Sequence, residues 1–223
     1  MSNFMLAVSA FDFKGIFSNI LTRWYYYLAL LLFVVFVITF SLLKKKKRNN
    51  LSHTQKIAYT AMFSALCFLS NYFTIKASDV LQISLVATTG FVAGYMMGSG
   101  LGFLSAFLGD LICGIIAPFG AYNPIIGIGT GLWGFIPGLL FETFEFNKYV
   151  KIVISFVLGF IFNSFLVNTF GLWLMYPKFY EINALLVLLP YKLIVVLGNL
   201  IVSIFIAELL DKVTPKNKFF NQT

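Results

Sequence analysis

Seven apolar windows, 24–43, 55–73, 80–98, 101–117, 123–141, 150–173 and 185–210, follow one another along a chain of 223 residues. At 1.5 Å rise per residue, about 20 apolar residues cross a hydrocarbon core of roughly 30 Å, so each window has the length of a membrane-spanning helix. A bilayer offers the backbone no water, so only helices or closed barrels satisfy its polar groups there. No window keeps the period-two alternation that a lipid-facing barrel strand needs, which leaves an all-α bundle. Composition agrees: 60% of residues are hydrophobic and 11% charged. A soluble domain averages roughly 45–50% and about 25%, so a soluble enzyme, a disordered chain and a disulfide-stapled secreted protein are excluded. Cys67 and Cys113 both lie within apolar runs. They read as small packing residues, not as a disulfide framework or a thiolate metal site.

Basic residues near span ends are retained on the cytoplasmic side. Placing Lys44, Lys45, Lys46, Lys47 and Arg48 inside and alternating from there also puts Lys56, Lys148, Lys151, Lys212, Lys216 and Lys218 inside. Lys14, Arg23, Lys76 and Lys178 fall outside, and Lys192 falls within a span. The expected topology has seven spans, an outer N-terminus and a cytoplasmic C-terminus. The net charge of +8 is then a topology signal and implies no nucleic acid.

The KKKKRNN run divides the chain. Residues 1–50 hold one plain, aromatic-rich helix and a basic linker, 51–214 a six-span core, and 215–223 a cytoplasmic tail. The first window is longer than a signal-peptide core and no small-residue cleavage site precedes the lysines, so it reads as an added helix. Residues 1–23, aromatic and weakly charged, read as interfacial.

Of 17 glycines, 13 fall between positions 90 and 139, and Gly90, Gly94, Gly98 and Gly102 repeat every fourth residue. Small residues at that spacing let helix backbones approach closely in lipid. Downstream, Pro118, Gly120 and Pro124 place a rigid outer turn between two spans. Irregular backbone at membrane depth is tolerated only against protein or a cavity, which makes this turn a ligand-site candidate.

Charges inside spans cost about 2.5–3.5 kcal/mol on insertion scales and therefore mark function. Asp110 lies in the window 101–117 and Lys192 in 185–210, about two turns from its outer end. The two either pair or serve separate partners; a cation in the outer half suits an anionic solute. Asn163 and Asn199 suit hydrogen bonds between helices. Asn168 and Thr169 lie nearer the outer end and with Lys192 suit one pocket. Glu142, Glu145, Glu208 and Asp211 read as solvated groups at the cytoplasmic end. There is no G-x-x-x-x-G-K-[ST], G-x-S-x-G or H-E-x-x-H, and the single histidine, His53, lies in the polar linker. A solute-moving bundle of this kind draws its energy from a partner.

The segment Leu81 to Glu142 contains a G-D-L-x-x-G-x-x-x-P-x-G-A-Y-x-P run, Gly109 to Pro124. With the Asn168-Thr169 pair, LLPYK at 188–192 and the first core helix's Ala61-Met62-Phe63-Ser64-Ala65, it resembles the substrate-binding S component of energy-coupling factor (ECF) vitamin transporters. It is most similar to the folate-type branch, over roughly residues 54–212. The resemblance implies a bacterial plasma-membrane protein with a six-helix core, part of an ABC-type importer, without ATPase activity or cofactor of its own. It implies as partners a membrane T subunit and two cytosolic ATPases. It also implies a vitamin, folate-like first, bound at the outer face beneath a lid, Thr74 to Val80. Carried over, Phe119, Gly120, Tyr122, Asn123, Asn168, Thr169, Lys192 and Asp110 would bind the ligand, with Phe119 and Tyr122 stacking on a ring and Lys192 meeting a carboxylate. Ala61 and Ala65 would dock on the T subunit. Where folate-type sequences usually carry Arg near the last helix's Leu-Pro, this one has Tyr191 and Lys192. That keeps the charge without the planar fork. Other classes compatible with the residues are a self-sufficient small carrier or channel for an organic solute, an intramembrane enzyme and a non-transport scaffold.

Overall fold

The structure, a computed structural model, describes residues 52–76, 82–116, 124–170 and 186–213. The apolar window 24–43, the basic run, the Pro118 to Pro124 turn up to Asn123, and the C-terminal tail lie outside the described residues. Helix α1 is His53–Tyr72, followed by a short antiparallel ladder of β1 (Ile75–Lys76) and β2 (Gln82–Ile83) with Ile75 opposite Ile83. Then come α2 (Val86–Met97), α3 (Ser99–Ile116), α4 (Pro124–Thr143), α5 (Lys148–Gly159) continued by a π-helix over Phe160–Phe170, and α6 (Leu189–Val213).

Among the described residues, four helical segments are long and apolar enough to cross a membrane: Ser99–Ile116, Ile125–Thr143, Lys148–Thr169 and Leu189–Val213. Two expected spans differ for local reasons. Helix α2 has only 12 residues, about 18 Å of rise, because Gly98 at φ 87° reverses the chain straight into α3. Helix α1 carries His53, Gln55, Lys56, Thr60, Ser64, Ser70 and Asn71, which dilute its apolar face. Its start is fixed by a capping box: Gln55 N–H donates to Ser52 Oγ at 3.3 Å and Ser52 N–H to Gln55 Oε1 at 3.1 Å. Asn147 caps α5 by accepting from Tyr149 N–H at 3.1 Å.

The glycines bring α2, α3 and α4 into backbone contact. A Cβ on Gly102 would lie 2.6 Å from Gly94 Cα and 2.8 Å from Gly134 O, so three helices cross where only hydrogen fits. Behind this crossing Phe91, Trp133 and Phe156 form the core, with Phe156 ring centroids 5.6 Å from Phe91 and 5.4 Å from Trp133. Pro137, fully buried, continues α4 without its N–H.

Asn199 ties α6 to α2, as its sequence position suggested. Its amide donates to Ser84 O and Val195 O, both at 2.9 Å, and its Oδ1 accepts from Thr88 Oγ1 at 2.7 Å and Thr88 N–H at 3.2 Å. Of the acids expected to be solvated, Asp211 and Glu142 are instead hydrogen-bonded. Asp211 accepts from Lys148 Nζ at 2.6 Å and Tyr95 OH at 2.5 Å. Glu142 accepts from Ser99 Oγ at 2.7 Å and Ser99 N–H at 3.3 Å, holding the first residue of α3. Both acids therefore fasten helix ends together.

Candidate functional site

A cavity of about 190 Å³ lies at the end of the bundle where α2, α4 and α6 begin. One wall comes from α5's π-wound extension and from α6. There Lys192, 8% exposed, donates from Nζ to Thr169 Oγ1 at 3.4 Å, and the fully buried Thr169 hydroxyl donates on to Ser164 O at 2.8 Å. Among the described residues no carboxylate pairs with the Lys192 ammonium. Beside it the buried Asn168 Oδ1 accepts no hydrogen bond. The opposite wall is acidic: Asp110 Oδ1 accepts from Asn71 Nδ2 at 2.6 Å and Thr130 Oγ1 at 3.3 Å. The cavity therefore presents a cation and an open acceptor on one side and a hydrogen-bonded carboxylate on the other.

The winding of residues 160–170 shapes the first wall. In an α-helix, at 100° per residue, positions five apart are separated by about 140° and face away from each other. A π-helix closes its hydrogen bonds at i+5, so such positions come nearly into line. Asn163 and Asn168 are five apart and both line the cavity. Asn163 is held from behind: in the amide orientation that satisfies both groups, it donates to Gly129 O at 3.3 Å and accepts from Trp133 Nε1–H. A Cβ on Gly129 would meet the Asn163 amide and the Val167 side chain, so a larger residue there would have to displace both.

Lys192 sits in the first turn of α6, its N–H bonded to Leu188 O at 3.1 Å. Asn168, Lys192 and Asp110 line the cavity directly, and Thr169 stands behind as the acceptor for Lys192. Phe119, Gly120, Tyr122 and Asn123 lie outside the described residues, as do positions 77–80 of the expected lid. Ala61 and Ala65 lie away from the cavity, on an exposed face of α1 that continues through Met62, Leu66, Leu69 and Tyr72. Sequence reasoning missed Asn71 and Thr130. Each is a hydrogen-bonding side chain inside an apolar window, as Asn168 is.

A model of the family described as ECF transporter, substrate-specific component, matches residues 55–210. Among solved structures the chain is similar to one reported as the crystal structure of FolT bound with folic acid, at 18% identity and a TM-score of 0.58, covering 67% of this chain and 92% of that one. It is also similar to one reported under the structure and mechanism of the S component of a bacterial ECF transporter, at 16% identity and a TM-score of 0.55, covering 72% of this chain and 98% of that one. At these identities the likeness is one of fold. Among curated proteins none matches.

Proposed function

This chain belongs to the ECF transporter substrate-specific component family, and from that premise we propose that it captures an organic anion of the vitamin class at the outer face of a bacterial plasma membrane. The observation that carries the reading is Lys192. A buried ammonium with a single long hydrogen bond among the described residues, facing a polar cavity beside the open acceptor of Asn168, is an expensive arrangement that a bound anion would compensate. A ligand carboxylate would meet Lys192 Nζ, while an N–H or O–H of the same ligand would meet Asn168 Oδ1. Asp110, fixed by Asn71 and Thr130, would receive a donor edge across the cavity. A folate-like molecule has both ends, and the similarity in fold to the folic acid-bound FolT structure makes it the first candidate.

Delivery would follow by docking to a T subunit driven by two ATPases. The exposed face of α1 around Ala61 and Ala65 supports this role, because small side chains there leave room for a partner helix at short distance. The core of the proposal is six spans within 51–214, with the cytoplasmic end at Gly98, Glu142 and Lys148 and the N-terminus outside. Equilibrium binding of labelled folates, pantothenate, riboflavin, thiamin, biotin and queuosine precursors to the purified chain tests it. Saturable binding of one of them, without added ATPase, is expected; failure of the whole panel refutes the vitamin reading.

A further inference from the structure

Trp133 of α4 packs in the core with Phe91 and Phe156, yet it also lines the cavity, where among the described residues it is the one aromatic side chain. Its register in α4 places it deepest: Ile126, Thr130 and Trp133 line the cavity in turn, and Trp133 lies about 13 Å of helical rise inward from Pro124. The indole is held from four sides. Its Nε1–H donates to Asn163, and its ring packs on Phe156 with 5.4 Å between centroids. Its Cβ lies against Gly90 of α2, where an added Cβ would come within 2.8 Å of it. Its six-membered ring lies on Gly159, the last residue of α5, where an added Cβ would overlap Cζ3 and stand 2.7 Å from Cε3 and 2.8 Å from Cη2. Alanine is the better helix former, so what glycine contributes at 159 is the slot for this ring. Gly159 does not itself line the cavity.

We infer that Trp133 is the specificity-determining floor of the cavity, selecting ligands that carry a flat aromatic ring, and that Gly159 is a positioning residue that holds the indole back to give that ring its depth. The inference rests on reading the cavity as a vitamin site and narrows the class of vitamin. A ring pressed onto the indole hides apolar area and gains an offset or edge-to-face contact, whereas a charged or aliphatic end gains no such contact and loses water. Asn163, the polar neighbour at this depth, is already engaged by Gly129 O and by the indole itself, so the floor offers an incoming group chiefly a flat apolar surface. The indole cannot retreat. With Nε1 tied to Asn163 and Cβ against Gly90, a methyl added at Gly159 drives the six-membered ring toward the open space beside it, which is the cavity. A residue outside the site thereby sets how deep the site is.

The chain has three tryptophans, Trp24, Trp133 and Trp173, so W24F/W173F in the full-length protein leaves Trp133 as the sole indole fluorophore. Without any vitamin, acrylamide, a small water-soluble quencher, is expected to quench its emission through the cavity, and G159A to raise the quenching constant as the ring moves forward. With the vitamin that binds, the emission is expected to change and to saturate at the Kd of equilibrium binding. G159A should weaken that binding at least about fivefold by crowding the floor, and W133F/G159A should bind within about threefold of W133F, because the smaller ring leaves room for the methyl. A merely structural role for Gly159 gives no such rescue. W133L, which removes the floor without crowding it, keeps the test open if G159A does not fold, and should weaken binding about tenfold or more. Emission that acrylamide does not reach, quenching unchanged in folded G159A, binding unchanged in W133L, or binding of pantothenate or biotin alone, neither of which has an aromatic ring, would overturn the inference and leave the vitamin reading standing. Failure of the whole vitamin panel refutes that reading instead, and the acrylamide result still decides whether Trp133 is the floor.

Discussion

Replacing Lys192 with Met should move stability and affinity in opposite directions. Lys192 is 8% exposed, and among the described residues its ammonium has one hydrogen bond, to Thr169 Oγ1 at 3.4 Å, the long end of the useful range. Thr169 keeps its own bond to Ser164 O when the ammonium is removed, so little is left unsatisfied. A lysine costs about 2.5–3.5 kcal/mol at the centre of a membrane helix and less toward the end, so the Met variant should recover about 1–3 kcal/mol of folding stability. Binding runs the other way. Deprived of the ammonium, a ligand carboxylate is buried without its partner, at a cost of about 2–5 kcal/mol, or roughly 30-fold to several thousand-fold in Kd. Thermal melting of the empty protein, with and without the vitamin that binds, reads both effects on one sample. A variant that melts lower than wild type when empty and binds the vitamin unchanged would refute the argument, showing that Lys192 holds the bundle together and not the ligand.

Substituting Trp at both Ala61 and Ala65 should abolish uptake in cells carrying the T subunit and ATPases while leaving equilibrium binding within about twofold; loss of both together would contradict a docking role for that face. Gly102→Ala should cost about 1–3 kcal/mol or more, because the new methyl meets Gly94 Cα and Gly134 O, which are backbone atoms and cannot rotate away. Asn199→Leu, read by melting against Thr88→Val and the double variant, should cost about 1–3 kcal/mol, with a double variant short of additive, since both changes remove the Thr88 Oγ1 to Asn199 Oδ1 bond. Lys148→Met should cost under about 1 kcal/mol, and less still in high salt, because the pair with Asp211 is 21% and 36% exposed. Asp211→Ala should cost more, since it also strips the Tyr95 hydroxyl.

The helical class was legible because apolar length and the absence of alternation are properties of the chain alone. So was the pairing of Asn168 and Lys192 at one level, since both are costly in lipid and near span ends. Helix lengths were less so: Gly98 ends α2 by a single backbone angle, and nothing in the run of glycines every fourth residue distinguishes the one that turns from those that pack. The acids at Glu142 and Asp211 looked solvated because their partners, Ser99 and Tyr95, lie 43 and 116 residues away in sequence. Asp110 was recognised as costly, but its holders Asn71 and Thr130 come from two other helices, and only the fold brings them to one carboxylate.

The π-wound stretch from Phe160 to Phe170 makes this wall of the proposed binding cavity sensitive to counting as well as to chemistry. A single residue gained or lost in that stretch would reset the winding between Asn163 and Asn168, turning one of the two away from the cavity without altering either amino acid. For a lineage adapting to a new nutrient, an indel here is a shorter route to a changed pocket than several point substitutions. Sequences aligned through this stretch would therefore be expected to differ in length where their ligands differ.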